Sequence, residues 1–155
     1  MGTHYTGQPA EVQALNTFIK LMRATDSVSA EIARSLADSG LTIGQFGVLE
    51  TLLHLGSMSQ CDLGTKLLRS GSNVTMVVDN LEKRGLVRRT RRTNDRRVID
   101  VSLTHDGRTL IEGLFPSHAR LIVRLFASLS SEQQHHLAEL CRTLGRSLST
   151  GVSPS

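Results

Sequence analysis

Tryptophan is missing from this sequence, tyrosine occurs once and phenylalanine four times, so aromatics make up only 3% of the 155 residues. The core must therefore come from Leu, Val, Ile and Ala, which the 39% hydrophobic content supplies. Cysteine is scarce as well. Cys61 and Cys141 cannot build a disulfide framework, and a reduced setting fits them. No apolar run approaches the ~20 residues of a membrane span. The first ten residues lack the basic-then-apolar pattern of an export signal, so the expected location is the cytoplasm. Catalytic signatures are missing too. There is no Ser/His/Asp or Cys/His arrangement at motif spacing, no Gly-rich phosphate loop and no carboxylate pair in an apolar setting; the expectation is a protein that is not an enzyme. His54, His105 and His118 are scattered, and the adjacent His135 and His136 face different sides of a helix. Four metal ligands cannot be assembled by spacing, so neither metal nor cofactor is expected.

What is present is a folded chain of ordinary charge density, 21% charged, with a length that fits a single domain over 1–155. Its net charge of +4 is unevenly spread. Residues 82–97 hold Lys83, Arg84, Arg88, Arg89, Arg91, Arg92, Arg96 and Arg97 against Glu82 and Asp95, a net of plus six. The rest of the chain carries ten basic and twelve acidic residues. A concentrated basic block is the electrostatic footprint of a polyanion binder, and seven of these eight cations are Arg, whose planar fork suits phosphates and base edges. A solvated cationic loop is the plainer use of the same residues.

The periodicity is almost wholly helical. Between Gln8 and Asp38, Leu15, Phe18, Ile19 and Met22, then Ile32, Ala33 and Leu36, recur at helical spacing, with Pro9 suited to the first turn and Gly40 to the exit. Thr42-Ile43-Gly44-Gln45 is a capping box for a second helix ending near Leu55 at Gly56. Ser59 caps a short third helix to about Leu68. Arg69-Ser70-Gly71-Ser72 is a tight break, and a fourth helix follows from about Asn73 to Arg84, with Gly85 at its exit. The period then changes. Leu86 to Arg92 and Val98 to Leu103 read as two strands joined at Thr93-Asn94-Asp95, a hairpin with an Arg-rich tip. Thr104 caps a long fifth helix that Pro116 should kink or split. Ser130-Ser131-Glu132-Gln133 opens a last helix with Leu137, Leu140, Cys141, Leu144 and Leu148 on one face, where Cys141 is expected to pack. The tail from Ser149 to Ser155 should fray.

Residues 42–103 are the informative unit: two helices across a tight turn, then a hairpin, which is a winged helix-turn-helix. In the fourth helix Val74, Val77, Val78 and Leu81 form the buried stripe, while Ser72, Asn73, Thr75, Met76 and Asn80 point elsewhere. Small polar groups at such a helix start reach base edges in the major groove, and Met meets a thymine methyl. Ser70 belongs to the same candidate DNA-reading start. Ser72 and Asn73 are equally ordinary helix caps, and both roles coexist. The hairpin's Arg91, Arg92, Arg96 and Arg97 suit a wing entering the minor groove, with Asp95 orienting a neighbouring Arg. Lys83, Arg88 and the remaining wing cations suit phosphates, which position without specifying. The first and last helices carry more apolar surface than so small a core covers, as a two-fold helical interface would require.

These residues resemble a known family. Leu41-Thr42-x-x-Gln45-Phe46-x-Val48-Leu49, the run Val77-Val78-Asp79-Asn80-Leu81-Glu82-Lys83-Arg84-Gly85-Leu86-Val87-Arg88-Arg89, then Asp95-Arg96-Arg97 and Leu103-Thr104-x-x-Gly107 are similar to the winged core of MarR-type bacterial transcription regulators. The likeness extends over about residues 10–148. It implies a mainly α fold with a small β-hairpin wing, in which 42–103 form the DNA-binding core and helices within 10–39 and 105–148 pair two subunits. It implies a homodimer on a pseudo-palindromic operator, with Arg97 at the wing tip. Leu114-Phe115-Pro116-Ser117-His118, together with Asp79 to Arg89, most resembles the branch of quinone- and catechol-responsive repressors, which implies a small phenolic or quinone-like effector. The family's pocket lies between the first, second and fifth helices, which implies Phe18, Met22, Phe46 and Leu49 as candidate lining; plain core packing is the simpler role of each. The hydroperoxide-sensing branch uses a first-helix cysteine, which this chain lacks. Cys61, near the start of the third helix, is the residual candidate redox switch.

The leading expectation is thus a homodimeric, sequence-specific DNA-binding repressor released by a small aromatic or lipophilic effector or by an oxidant. Two alternatives use the same fold: a non-sequence-specific architectural DNA binder, and a winged-helix protein-interaction module. The polar open face of the fourth helix argues against the first, and the basic segment against the second.

Overall fold

The computed structural model describes residues 2–67 and 71–149, without the side chains of Ser72 and Ser149. Along the chain run α1 (Pro9–Leu36), a 3-10 turn (Ala37–Ser39), α2 (Ile43–Leu55), β1 (Met58–Ser59), α3 (Gln60–Lys66), α4 (Gly71–Lys83), β2 (Val87–Arg91), β3 (Ile99–Leu103), α5 (His105–Leu125) and α6 (Ser131–Ser149). The local signals act as their chemistry requires. The Gln45 backbone N–H donates to Thr42 Oγ1 at 3.1 Å while Gln45 Oε1 accepts from the Thr42 N–H at 3.0 Å, closing the capping box of α2. Ser59 Oγ accepts from the Asp62 N–H to cap α3, and Ser130 and Gln133 reciprocate at the start of α6. Gly40 leaves the 3-10 turn at φ 63°, a left-handed conformation in which a side chain is strained.

The sheet holds more than the expected hairpin. β2 and β3 pair antiparallel with Val87 opposite Leu103 and Arg91 opposite Ile99. The two-residue β1 adds to the other edge of β3, Met58 opposite Val101 and Ser59 opposite Asp100. Two residues carry no period, so only the pairing reveals this strand. Helix α5 runs as one helix through Pro116, so of the expected kink or split the split does not occur. One lost N–H bond in a 21-residue helix leaves most of the ladder intact.

By its internal packing the chain falls into two compact units, Met1–His118 and Ala119–Ser155. The reason lies in the core: its buried cluster and the residues packed on it run from Ile32 to Phe115. In the first unit Phe46, Val48, Leu49 and Leu52 of α2 join Leu63, Val74, Val78, Leu81, Val87, Val101 and Ile111 in that cluster. Burying a Leu or Val side chain contributes about 1.5–3 kcal/mol, so this cluster holds α2, α3, α4, the sheet and the start of α5 together. In the second unit α6 leaves Leu137, Leu140, Leu144 and Leu148 exposed. Cys141 is exposed as well, which corrects its expected packing.

Candidate nucleic-acid interface

Helix α4 is amphipathic in the way a groove-reading helix must be. Val74, Val78 and Leu81 are buried in the core, and Val77 is partly buried against it. Met76 and Asn80 stand on the exposed side. Asn80 Nδ2 donates to the Met76 carbonyl one turn back. Asn73 and Thr75 are half-buried at the edge of the stripe, and Thr75 Oγ1 accepts a hydrogen bond from Gln60 Nε2 of α3 at 2.8 Å. Ser70, and the break expected at Arg69-Ser70, lie outside the described residues; Ser72 belongs to the first turn of α4 through its backbone.

The basic block separates into two groups in three dimensions. Arg84, Arg89 and Arg92 are engaged by the protein itself. Arg84 donates to the carbonyls of Gly40 at 2.9 Å and Ser39 at 3.1 Å, capping the turn that ends α1. Arg89 on β2 binds Glu82 and Asp79 of α4. Its guanidinium holds the Glu82 carboxyl below the usual range, and Glu82, then Asp79, keep Arg89 more firmly protonated. Arg92 forms a bidentate pair with Asp100 on the neighbouring strand at 2.6 and 3.0 Å. That hydrogen-bonded pair lowers the Asp100 carboxyl below its ordinary value. Arg92, a candidate DNA contact, thus also has a partner on the protein while its side chain stays 43% exposed, because the pleat sets residue 92 diagonal to residue 100.

Lys83, Arg91, Arg96 and Arg97 form the outward group, all exposed. Arg88 is exposed too, with its Nε donating to Ser102 Oγ. The Arg97 side chain is 97% exposed at the wing turn. Asp95 Oδ1 accepts from the Arg97 backbone N–H at 3.0 Å and lies 4.0 Å from its guanidinium, so Asp95 shapes the turn that presents Arg97.

The Arg89 pairing and the Gln60 bond are features that reading along the chain missed. Residues 79, 82 and 89 lie on different elements, and no local period signals their meeting. The same holds for an aromatic cluster between α2 and α5. Phe46 and His118 rings lie 4.4 Å apart, His54 and Phe115 rings 4.5 Å apart, and Phe115 and His118 rings 6.4 Å apart. Two of the histidines scattered in sequence, His54 and His118, thus pack against the same Phe115 ring, and His118 Nδ1 is buried without a hydrogen-bond partner among the described residues. Of the four expected pocket residues, Phe46 and Leu49 are buried in the core, while Phe18 and Met22 are exposed on α1. Cys61 is exposed near the start of α3. Among the described residues no three His, Cys, Asp or Glu side chains gather as a metal site, and no helix is long and apolar enough to cross a membrane.

Comparison with known proteins agrees with this geometry. The MarR family model matches residues 41–99. The chain is 33% identical over 133 residues to the HTH-type transcriptional regulator MhqR of Bacillus subtilis, covering 86% of this chain and 92% of that protein. It is 29% identical over 132 residues to the HTH-type transcriptional repressor MdtR of the same organism, covering 85% of each. Among solved structures it is similar to Bordetella bronchiseptica BpsR, whose DNA binding is regulated by 6-hydroxynicotinic acid. The TM-score is 0.76 at 29% identity, covering 83% of this chain and 98% of that one.

Proposed function

This chain belongs to the MarR family of DNA-binding transcription regulators, which are not enzymes, and from that premise we propose a homodimeric repressor that a small aromatic or lipophilic effector releases from a pseudo-palindromic operator. The observation that carries the DNA reading is the sorting of the basic block. Ion pairs fasten the wing to α4 through Arg89, and the cations left outward, Arg91, Arg96 and Arg97, sit on that fastened wing. A wing fixed to the reading helix presents two groove contacts in constant register, which a mobile basic tail does not.

In this reading α4 enters the major groove with Asn73, Thr75 and Met76 near base edges. Arg97 enters the adjacent minor groove, while Lys83, Arg88, Arg91 and Arg96 neutralise phosphates. The dimer reading rests on uncovered apolar side chains: Leu15, Phe18 and Met22 on α1, and Leu137, Leu140, Leu144 and Leu148 on α6. Exposed stripes of this kind call for a partner, and a second copy supplies the same stripes in return.

For the effector, the cluster of Phe46, His54, Phe115 and His118 offers aromatic faces and one unpaired buried ring nitrogen, the groups that would hold a flat, polar-edged aromatic molecule. Such a ligand acts only through preference for the conformation in which the two reading helices no longer match the operator spacing. An oxidant acting at the exposed Cys61 is the other route to release.

Fluorescence anisotropy on the DNA upstream of the protein's own gene, and on its scrambled sequence, tests the proposal. Binding to the first should exceed the second by roughly a thousandfold near physiological salt and fall when phenols or quinones are added. Equal, steeply salt-sensitive binding to both duplexes would favour the architectural alternative.

A further inference from the structure

Gln60 opens α3 directly after β1, where the sheet, α3 and α4 meet. Its Nε2 reaches fifteen positions along the chain to donate to Thr75 Oγ1 at 2.8 Å. Its Oε1 is buried and has no hydrogen-bond partner among the described residues. A carboxamide whose oxygen is buried and unsatisfied packs poorly, since an apolar side chain of similar length fills the space without an orphaned acceptor. Its presence points to work at the other end of the bond.

That end is Thr75, on α4, between the buried Val74 and the exposed Met76. A threonine has one side-chain torsion, so a single bond to its hydroxyl places the γ-methyl as well. On a helix in the major groove these two groups meet base-edge acceptors and the thymine methyl respectively, and a rotation of the side chain exchanges them. A bond that bears on the torsion therefore bears on which base pair is favoured.

We infer that Gln60 is a specificity-determining positioning residue: it touches no DNA, and through its bond to Thr75 it contributes to the base preference of α4 at one position of each half-site. The inference rests on the sequence-specific DNA reading above and adds to it a residue from outside the helix that reads. It also explains why α3 and α4 are joined by a polar tether in an otherwise apolar junction, where Leu63 and Val74 are buried.

The test uses the full-length protein and a duplex library with randomised bases. Wild type, Gln60→Leu, Thr75→Ala and the double variant are each allowed to select from it, and their affinities are measured on the wild-type consensus and on a scrambled duplex. Gln60→Leu should lose about five- to tenfold of its discrimination at one base pair per half-site. Thr75→Ala should lose it at the same base pair, and the double variant should lose no more than Thr75→Ala alone. Scrambled-duplex affinity and the midpoint of thermal unfolding should not fall in Gln60→Leu, because an orphaned polar atom leaves the interior. Unchanged preference, or an equal loss on every duplex, overturns the role of Gln60. If the wild type itself selects no consensus, the sequence-specific reading falls and the role of Gln60 with it.

Discussion

Glu82 on α4 takes three hydrogen bonds from Arg89 on β2: from the backbone N–H at 3.0 Å, from Nε at 3.0 Å and from Nη2 at 2.7 Å. One carboxylate thus satisfies both the strand's main chain and its side chain. Charge-assisted bonds of this kind are stronger than neutral ones, and they fix the wing's angle to the reading helix.

The pairing predicts an acid limb to stability. Arg89 depresses the Glu82 carboxyl below its ordinary value of 4.5. A depressed acid stabilises the fold above its unfolded-state value, and that contribution is lost as pH falls through the folded-state value. Glu82→Gln should therefore unfold at a lower temperature than wild type at pH 7. The gap should close as pH drops below about 4.5, toward the depressed value. A gap that stays constant down to pH 3 would remove the Glu82 charge from the account.

Arg97 and Arg92 should separate in their effects, although both are wing arginines. Arg97→Ala should weaken operator binding by about 1–3 kcal/mol while leaving the unfolding midpoint unchanged, because its side chain is fully outward. Arg92→Ala should cost less in binding, since Asp100 already engages that guanidinium. Anisotropy titrations on one operator duplex decide it; equal losses would mean Arg92 leaves Asp100 for DNA.

Gly107 is demanded by packing. A Cβ placed there meets the Leu86 carbonyl, the same oxygen that accepts from the Thr104 N–H at 3.1 Å. Gly107→Ala should destabilise by about 1–3 kcal/mol. Gly113 lies on the same helix with nothing within 4 Å of an added Cβ, so Gly113→Ala should stabilise by about 0.5–1 kcal/mol. Denaturant unfolding of the two variants should move in opposite directions.

The uncovered face of α6 predicts assembly. Wild type should elute and scatter light as a dimer. Leu140→Glu, which puts a charge on that face, should give a monomer with intact helix content and weakened operator binding. A Leu140→Glu protein that remains dimeric would move the interface elsewhere.

The amino-acid sequence by itself determined the local elements. The Thr42–Gln45 box, the Ser59 and Ser130 caps, Gly40, and the stripe of Val74, Val78 and Leu81 each act within one or two turns, so their chemistry is legible along the chain. The change of period after Gly85 marked the wing, and the count of arginines marked its charge. Only the tertiary structure decided which cations are spent on the protein and which face outward. Arg84 meets carbonyls more than forty residues away, Arg89 meets a helix and Arg92 the next strand. β1, the Gln60–Thr75 bond and the Phe46–His118 contact arose in the same way. The physical reason is range. Caps and periodicities are set by neighbours in sequence, whereas partnership between distant charges, amides and rings depends on where packing brings them.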